Sequence, residues 1–136
     1  MSQENVEIVQ RAYKVFDDAG FSGAAGLDLG AFDADIEVDT SKTPFDVDVF
    51  RGHDGLREFL SLQRGMWKRR RLEPQEFISV DEDRVVVATR IVSVGRDEVK
   101  TISHAASLWT LRAGKITHVK LFHHKGEALE AVGVSG

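Results

Sequence analysis

Ser107-Leu108-Trp109-Thr110-Leu111-Arg112-Ala113-Gly114-Lys115-Ile116 reads as strand, tight turn, strand. It is the last of a series. Gln75–Val80, Arg84–Val94, Glu98–Leu111 and Lys115–His123 all carry strand signals, with Val85-Val86-Val87 at the heart of the second. Asp81-Glu82-Asp83, Gly95-Arg96-Asp97 and Arg112-Ala113-Gly114 supply the turns between them. Connections this short join antiparallel neighbours, so this stretch forms one sheet built from hairpins. Glu127 to Gly133 then predicts one short closing helix.

The first half supplies what covers the sheet. From Glu4 to Ala19, Val6, Val9, Tyr13 and Phe16 recur at helical spacing, with Ile8, Ala12 and Val15 beside them. Ser2 suits the N-cap and Gly20 the stop. Residues 20–30 hold four glycines and read as a loop with room for one short helical turn. They lack the Gly-Lys-Ser/Thr ending of a phosphate loop. Ile36 to Asp39 alternates and predicts a first strand, and Thr40 to Phe50 a loop. A second long helix starts near Gly52-His53-Asp54 and runs past Trp67, with Leu56, Phe59, Leu60, Met66 and Trp67 as its buried stripe. Glu73-Pro74 ends it, because the residue before proline avoids the helical region. The basic run Lys68-Arg69-Arg70-Arg71 then falls at its C-terminus, where cations complement the helix dipole and water solvates them.

Composition narrows the function classes. At 136 residues the chain is expected to form a single domain, residues 1–136, with a full core. The absence of cysteine excludes a disulfide framework, a thiolate zinc site and a cysteine nucleophile, and it fits a reducing cytoplasm, so a cytoplasmic location is expected. No basic-then-apolar leader opens the chain and no apolar run approaches bilayer length, so no membrane role is expected. A formal charge of −4, with no aromatic-interleaved basic surface, argues against nucleic acid as a partner. No His-x-His or helical His-x₃-His pair is present, so neither a metal nor a cofactor is expected.

Five segments together resemble the SnoaL-like polyketide cyclase branch of the nuclear-transport-factor-two-like superfamily. They are Asn5–Tyr13, Phe32–Val38, Phe50–Leu60, Trp109–Lys115 and Glu127–Gly133, and their order spans the chain from end to end. The resemblance implies an α+β fold in which a cone-shaped, curved, mostly antiparallel sheet wraps around N-terminal helices, as in cystatin-like α+β barrels. It also implies a hydrophobic pocket on the concave face. The family includes polyketide cyclases, ketosteroid isomerases, dehydratases and members without a known reaction, so the fold alone does not give the function.

Steroid isomerisation needs a carboxylate base with a tyrosine and a protonated acid as oxyanion donors. Laid onto this chain, the base position falls at Thr40, one residue after Asp39. The tyrosine position falls at Ala12, one before Tyr13, and the second acid falls near Ser107. A one-residue slip on a strand sends a side chain to the opposite face, which disfavours that reaction. Other acid/base chemistry on a hydrophobic carbonyl compound remains open. His118, Asp39 and Tyr13 are the catalytic candidates. By alternation His118, Lys120 and Phe122 share a face, which the resemblance makes the concave one. Ser107 and Trp109 share a face too, and with Phe16, Trp67, Lys120 and Phe122 they are the ligand-binding candidates. The expected partner is a small hydrophobic ligand.

Three readings follow. The chain is an enzyme of cyclisation, isomerisation or dehydration, a non-catalytic binder of a small apolar ligand, or an assembly module. The last would use the convex sheet face, with Leu108, Thr110, Val119 and Leu121 forming an apolar patch for a homodimer. Each candidate also has a plain structural role: a solvated strand-end aspartate, a rim histidine, or a tyrosine and a tryptophan packed in the core.

Overall fold

The computed structural model describes residues 2–22, 30–40, 49–66 and 68–133, with side chains described at 3–14, 30–40, 49–62 and 68–133. Helix α1 (Ser2–Ser22) is followed by strand β1 (Phe32–Asp39), strand β2 (Val49–Arg51) and helix α2 (Gly52–Met66). Strands β3 (Arg69–Ser79), β4 (Arg84–Val94), β5 (Lys100–Arg112) and β6 (Lys115–Phe122) come next, and helix α3 (Lys125–Ala131) closes the series. The strands form one curved, unclosed six-stranded sheet in the order β2-β1-β6-β5-β4-β3. The α+β architecture inferred from the sequence is the one observed. β3 to β6 pair antiparallel, whereas β1 lies parallel to β6.

α1 buries Asn5, Val9, Ala12 and Tyr13 and exposes Glu4, Glu7, Gln10, Arg11 and Lys14, the division that a 3.6-residue period imposes. It packs on β3, β4 and α2, while α2 packs over β1 and β2. The amide of Asn5 donates to the Glu82 carbonyl and clips the start of α1 to the β3–β4 turn. Inside, Val9, Tyr13, Phe32, Ile36, Val38, Leu56, Phe59, Val85, Val87, Trp109, Leu111, Ile116 and Val119 form one core between the helices and the sheet. α3 seals a second cluster on the opposite face, where Ala128 and Leu129 meet Val86, Ala106 and Phe122.

Which face a residue occupies depends on register, and the register is interrupted twice. β4 and β5 pair without a break from Arg84↔Thr110 to Val94↔Lys100, so the odd-numbered residues of both strands face the helices throughout. In the β5–β6 hairpin Leu111 faces Ile116 but Thr110 faces His118, which leaves Thr117 as an extra residue on β6. In the β3–β4 hairpin Pro74 faces Thr89 but Glu76 faces Ala88, which leaves Gln75 extra on β3. Each bulge reverses the faces of every residue beyond it.

These bulges correct several sequence expectations. His118, Lys120 and Phe122 lie on the outer face. His118 sits beside Glu37 (Nε2 to Oε2, 3.4 Å), Lys120 pairs with Asp39 (3.8 Å), and the Phe122 ring packs under α3. The predicted convex patch does not form either. Val119 and Leu121 turn inward to the main core, and Leu108 packs against the α3 cluster. Residues 69–79 are strand, so the basic run is not a helix end and Pro74 terminates no helix. Pro74 is tolerated because β3 is an edge strand and the bulge follows it directly. The predicted 40–50 loop ends in β2, three residues long, which pairs with β1 through Phe50↔Val38. Trp67, the glycine-rich residues 23–29 and loop residues 41–48 lie outside the described residues.

Candidate functional site

The inner sheet face loses its apolar character toward one end. Along β5 it passes from buried Trp109 and Ser107 through half-buried Ala105 to exposed Ser103 and Thr101. Along β4 it passes from Val85 and Val87 to the buried polar residues Thr89 and Ser93. Polar groups this deep need partners; Ser107 finds one on its own strand and Thr89 one on α1.

Trp109 is fully buried and is the floor. Its indole N–H donates to Ser107 Oγ, two residues back on the same face, at 2.7 Å. The ring of Tyr13 lies tilted over it with centroids 5.7 Å apart, and Phe77 meets Tyr13 edge-on at 6.4 Å. Phe32 closes the deep side, 6.3 Å from the Trp109 ring. Aromatic neighbours in such offset and edge-on poses contribute beyond their buried area. The Tyr13 hydroxyl shares a hydrogen bond with Thr89 Oγ1, so a polar pair stands at the edge of an aromatic box.

Arg70 completes this arrangement, and the sequence reading missed it. The Gln75 bulge puts Arg70 and Leu72 on the inner face, and Arg70 lies opposite the buried Ser93. Burial lowers the affinity of its guanidinium for a proton below the ordinary arginine value, and the nearby Tyr13 phenol works against that shift. Arg71, by contrast, points outward to Glu73 at 3.7 Å. The available signal was a strand-like alternation of Arg70 with Leu72 inside a run that looked like a helix end.

The other candidates are dispersed. Tyr13, Ser107 and Trp109 come together in the box. Asp39, His118 and Lys120 belong to an outer ladder in which Arg51 also reaches Glu37 at 3.2 Å. Thr40, one residue after Asp39, is fully buried, so the slip between them separates inside from outside. Phe122 is buried on the α3 side, while Trp67 and the Phe16 side chain are outside the described residues. No carboxylate or imidazole stands on the described inner faces of β3 to β6. Among the described residues no three His, Cys, Asp or Glu side chains gather to hold a metal ion. No helix among them is long and apolar enough to cross a membrane. The arrangement packs aromatic rings around one hydroxyl pair, Tyr13 and Thr89.

Comparison with known proteins agrees with the fold. Residues 9–119 match the SnoaL-like domain. The structure of TerC co-crystallized with polyporic acid is similar at 25% identity and a TM-score of 0.74, covering 95% of this chain and 97% of that one. An NTF2-like protein of unknown function from Burkholderia pseudomallei K96243 aligns at 17% identity and a TM-score of 0.69, over 92% and 96% of the two chains. A candidate polyketide cyclase from Xanthomonas campestris pv. campestris aligns at 17% identity and a TM-score of 0.72, over 96% and 97%. These last two likenesses bear on the fold alone. No curated protein sequence matches the chain.

Proposed function

The chain belongs to the SnoaL-like domain family, and from that premise we propose that it holds a small, flat, apolar ring compound against the inner face of its sheet and polarises one of the ligand's oxygens. The observation that carries this reading is Tyr13, whose hydroxyl is hydrogen-bonded to Thr89 and whose ring meets those of Trp109 and Phe77. A ligand ring stacks in the aromatic box, and Tyr13 donates to its carbonyl oxygen while Thr89 orients the phenol. A donor aimed at an oxygen that gains negative charge lowers the barrier to enolisation, the step shared by cyclisation, isomerisation and dehydration, with water or a basic oxygen of the ligand itself taking the carbon-bound proton. Tyr13 is then the catalytic residue, with Ser107 holding the Trp109 ring in place. His118 and Asp39 take no part, being paired on the outer face.

A second reading, a binder without a reaction, is favoured by the lack of any carboxylate or imidazole on the described inner faces of β3 to β6, since proton transfer needs an acceptor. Polyporic acid, with which the similar TerC was co-crystallized, is the natural first probe. Titration calorimetry with the wild-type chain and Tyr13→Phe separates the outcomes. Saturable binding that weakens roughly 5- to 20-fold in the variant, the worth of one hydrogen bond in a dry site, supports the role of Tyr13. Binding that Tyr13→Phe leaves untouched removes Tyr13 from the site. Incubation of the bound compound, followed by mass spectrometry, then distinguishes enzyme from binder.

A further inference from the structure

The buried polar residues among those described are Asn5, Thr40, Thr89, Ser93 and Ser107. Asn5 donates to the Glu82 carbonyl, Thr89 shares a hydrogen bond with Tyr13, Ser107 accepts from the Trp109 indole, and Thr40 is engaged at the end of β1. Ser93 differs. It is only 4% exposed, yet its hydroxyl has no hydrogen-bond partner among the described residues. The sealed side-chain atoms without a partner do not include it either, so its oxygen still touches space that a water-sized group can enter. A buried hydroxyl of this kind is completed by something that comes in from outside.

Ser93 shares the inner face of β4 with Thr89, and Ile91 lies between them. Four residues of strand set the two about 13 Å apart along β4. Ile91 and Leu72, its neighbour on β3, make the stretch between them apolar. Thr101, opposite Ser93 on β5, is exposed, so Ser93 stands near the open end of this face. The face is thus polar at the Tyr13–Thr89 pair, apolar across Ile91, and polar again at Ser93. Resting on the ring-pocket reading above, we infer that the ligand is an elongated ring compound with an oxygen at each end. One oxygen meets Tyr13, and the far one, a hydroxyl or a second carbonyl, is hydrogen-bonded by Ser93. A serine hydroxyl donates and accepts, so it serves either group. Ser93 is then the residue that distinguishes a ligand oxygenated at both ends from one oxygenated at the Tyr13 end alone, because a site built to hydrogen-bond a ligand hydroxyl disfavours the analogue without it.

The test compares two uncharged probes, 4-acetylbiphenyl and 4'-hydroxy-4-acetylbiphenyl, against the full chain at neutral pH. They differ by one hydroxyl at the end remote from the carbonyl. Binding is followed by calorimetry and by the fluorescence of the protein. Wild type should prefer the hydroxylated probe roughly 5- to 20-fold, the worth of one buried hydrogen bond. Ser93→Ala should bring the two affinities within about twofold by weakening the hydroxylated probe alone, and Ser93→Cys, which keeps the side chain's shape but is a weak donor, should do nearly the same. Tyr13→Phe should weaken both probes alike, because both carry the carbonyl end. Thermal melts establish that each variant is folded, and Ser93→Cys carries the comparison if Ser93→Ala is not. Equal affinity of wild type for both probes overturns the second polar contact and leaves the ring pocket standing. A preference that survives in both Ser93 variants overturns the role of Ser93. If wild type binds neither probe, the ring-pocket reading falls and this inference falls with it.

Discussion

Thr110 lies opposite His118 across β5 and β6, although the preceding rung of the ladder pairs Leu111 with Ile116. The tight turn alone would set His118 against Trp109, on the inner face. The extra Thr117 prevents this, and its hydroxyl donates to the Thr110 carbonyl at 3.2 Å, holding the bulge closed. His118 Nδ1 lies 3.1 Å from the same hydroxyl, on the side turned away from the core.

His118→Ala and Asp39→Asn are therefore expected to leave ligand affinity within about twofold of wild type. The first removes an exposed imidazole beside Glu37 and the second the charge of a half-exposed ion pair, each of which costs at most about 1 kcal/mol of stability. Calorimetric titration with the ring probes and urea unfolding check both statements. A tenfold loss of binding in either variant would return the outer ladder to the site.

Ser107→Ala removes the acceptor for the indole N–H of a fully buried tryptophan. The expected cost is about 1–3 kcal/mol in urea unfolding, because a buried donor loses the bond that offset its desolvation. The fluorescence of Trp109 should shift as well, since the dipole beside its ring is gone. Ser107→Thr keeps the hydroxyl and should recover most of the emission signature.

The β5–β6 turn strains one residue. Ala113 adopts φ 52° and Gly114 φ 78°, the pair of positive values a two-residue hairpin of this twist requires. Glycine meets that demand freely, while alanine pays for its Cβ in the left-handed region. Ala113→Gly or Ala113→Asn should raise stability by about 0.5–1 kcal/mol, measured by urea or thermal unfolding. No residue at this turn touches the aromatic box, so binding should not change.

Asp81 in the β3–β4 turn accepts from the Arg84 side chain (Nε to Oδ2, 2.8 Å) and from the Asp83 backbone N–H (2.9 Å). The Arg84 bond first, and the backbone bond second, hold its carboxyl below the usual carboxylate range. A lowered folded value means that the stabilisation is complete above the unfolded carboxylate range and is lost as pH falls through the folded value. Wild-type stability should therefore drop more steeply than that of Asp81→Asn below about pH 4. Denaturant unfolding at a series of pH values measures it. The effect is small, since the carboxyl is largely exposed. Parallel curves for the two proteins would rule it out.

Much of this fold is legible in the chain before folding. The stripe of Val9, Ala12 and Tyr13 requires a helix with one buried face, and Val85-Val86-Val87 followed by short turns requires antiparallel strands. Ser107 and Trp109 could be assigned to the inner face because β4 and β5 pair without interruption, so alternation holds over their whole length. Alternation is a local rule, and it stays valid only while each rung of the ladder holds one residue from each strand.

Sequence by itself determined the elements, their order and the apolar content of their faces, because periodicity and turn chemistry act over a few residues. Tertiary structure decided which charged groups face inward. One inserted residue, Thr117, turned His118 and Lys120 out and Val119 and Leu121 in, and another, Gln75, put Arg70 rather than Arg71 on the inner face. A bulge forms where curvature and packing across the whole sheet are best satisfied. That balance involves β1, β6 and two helices at once, so no short stretch of sequence contains it.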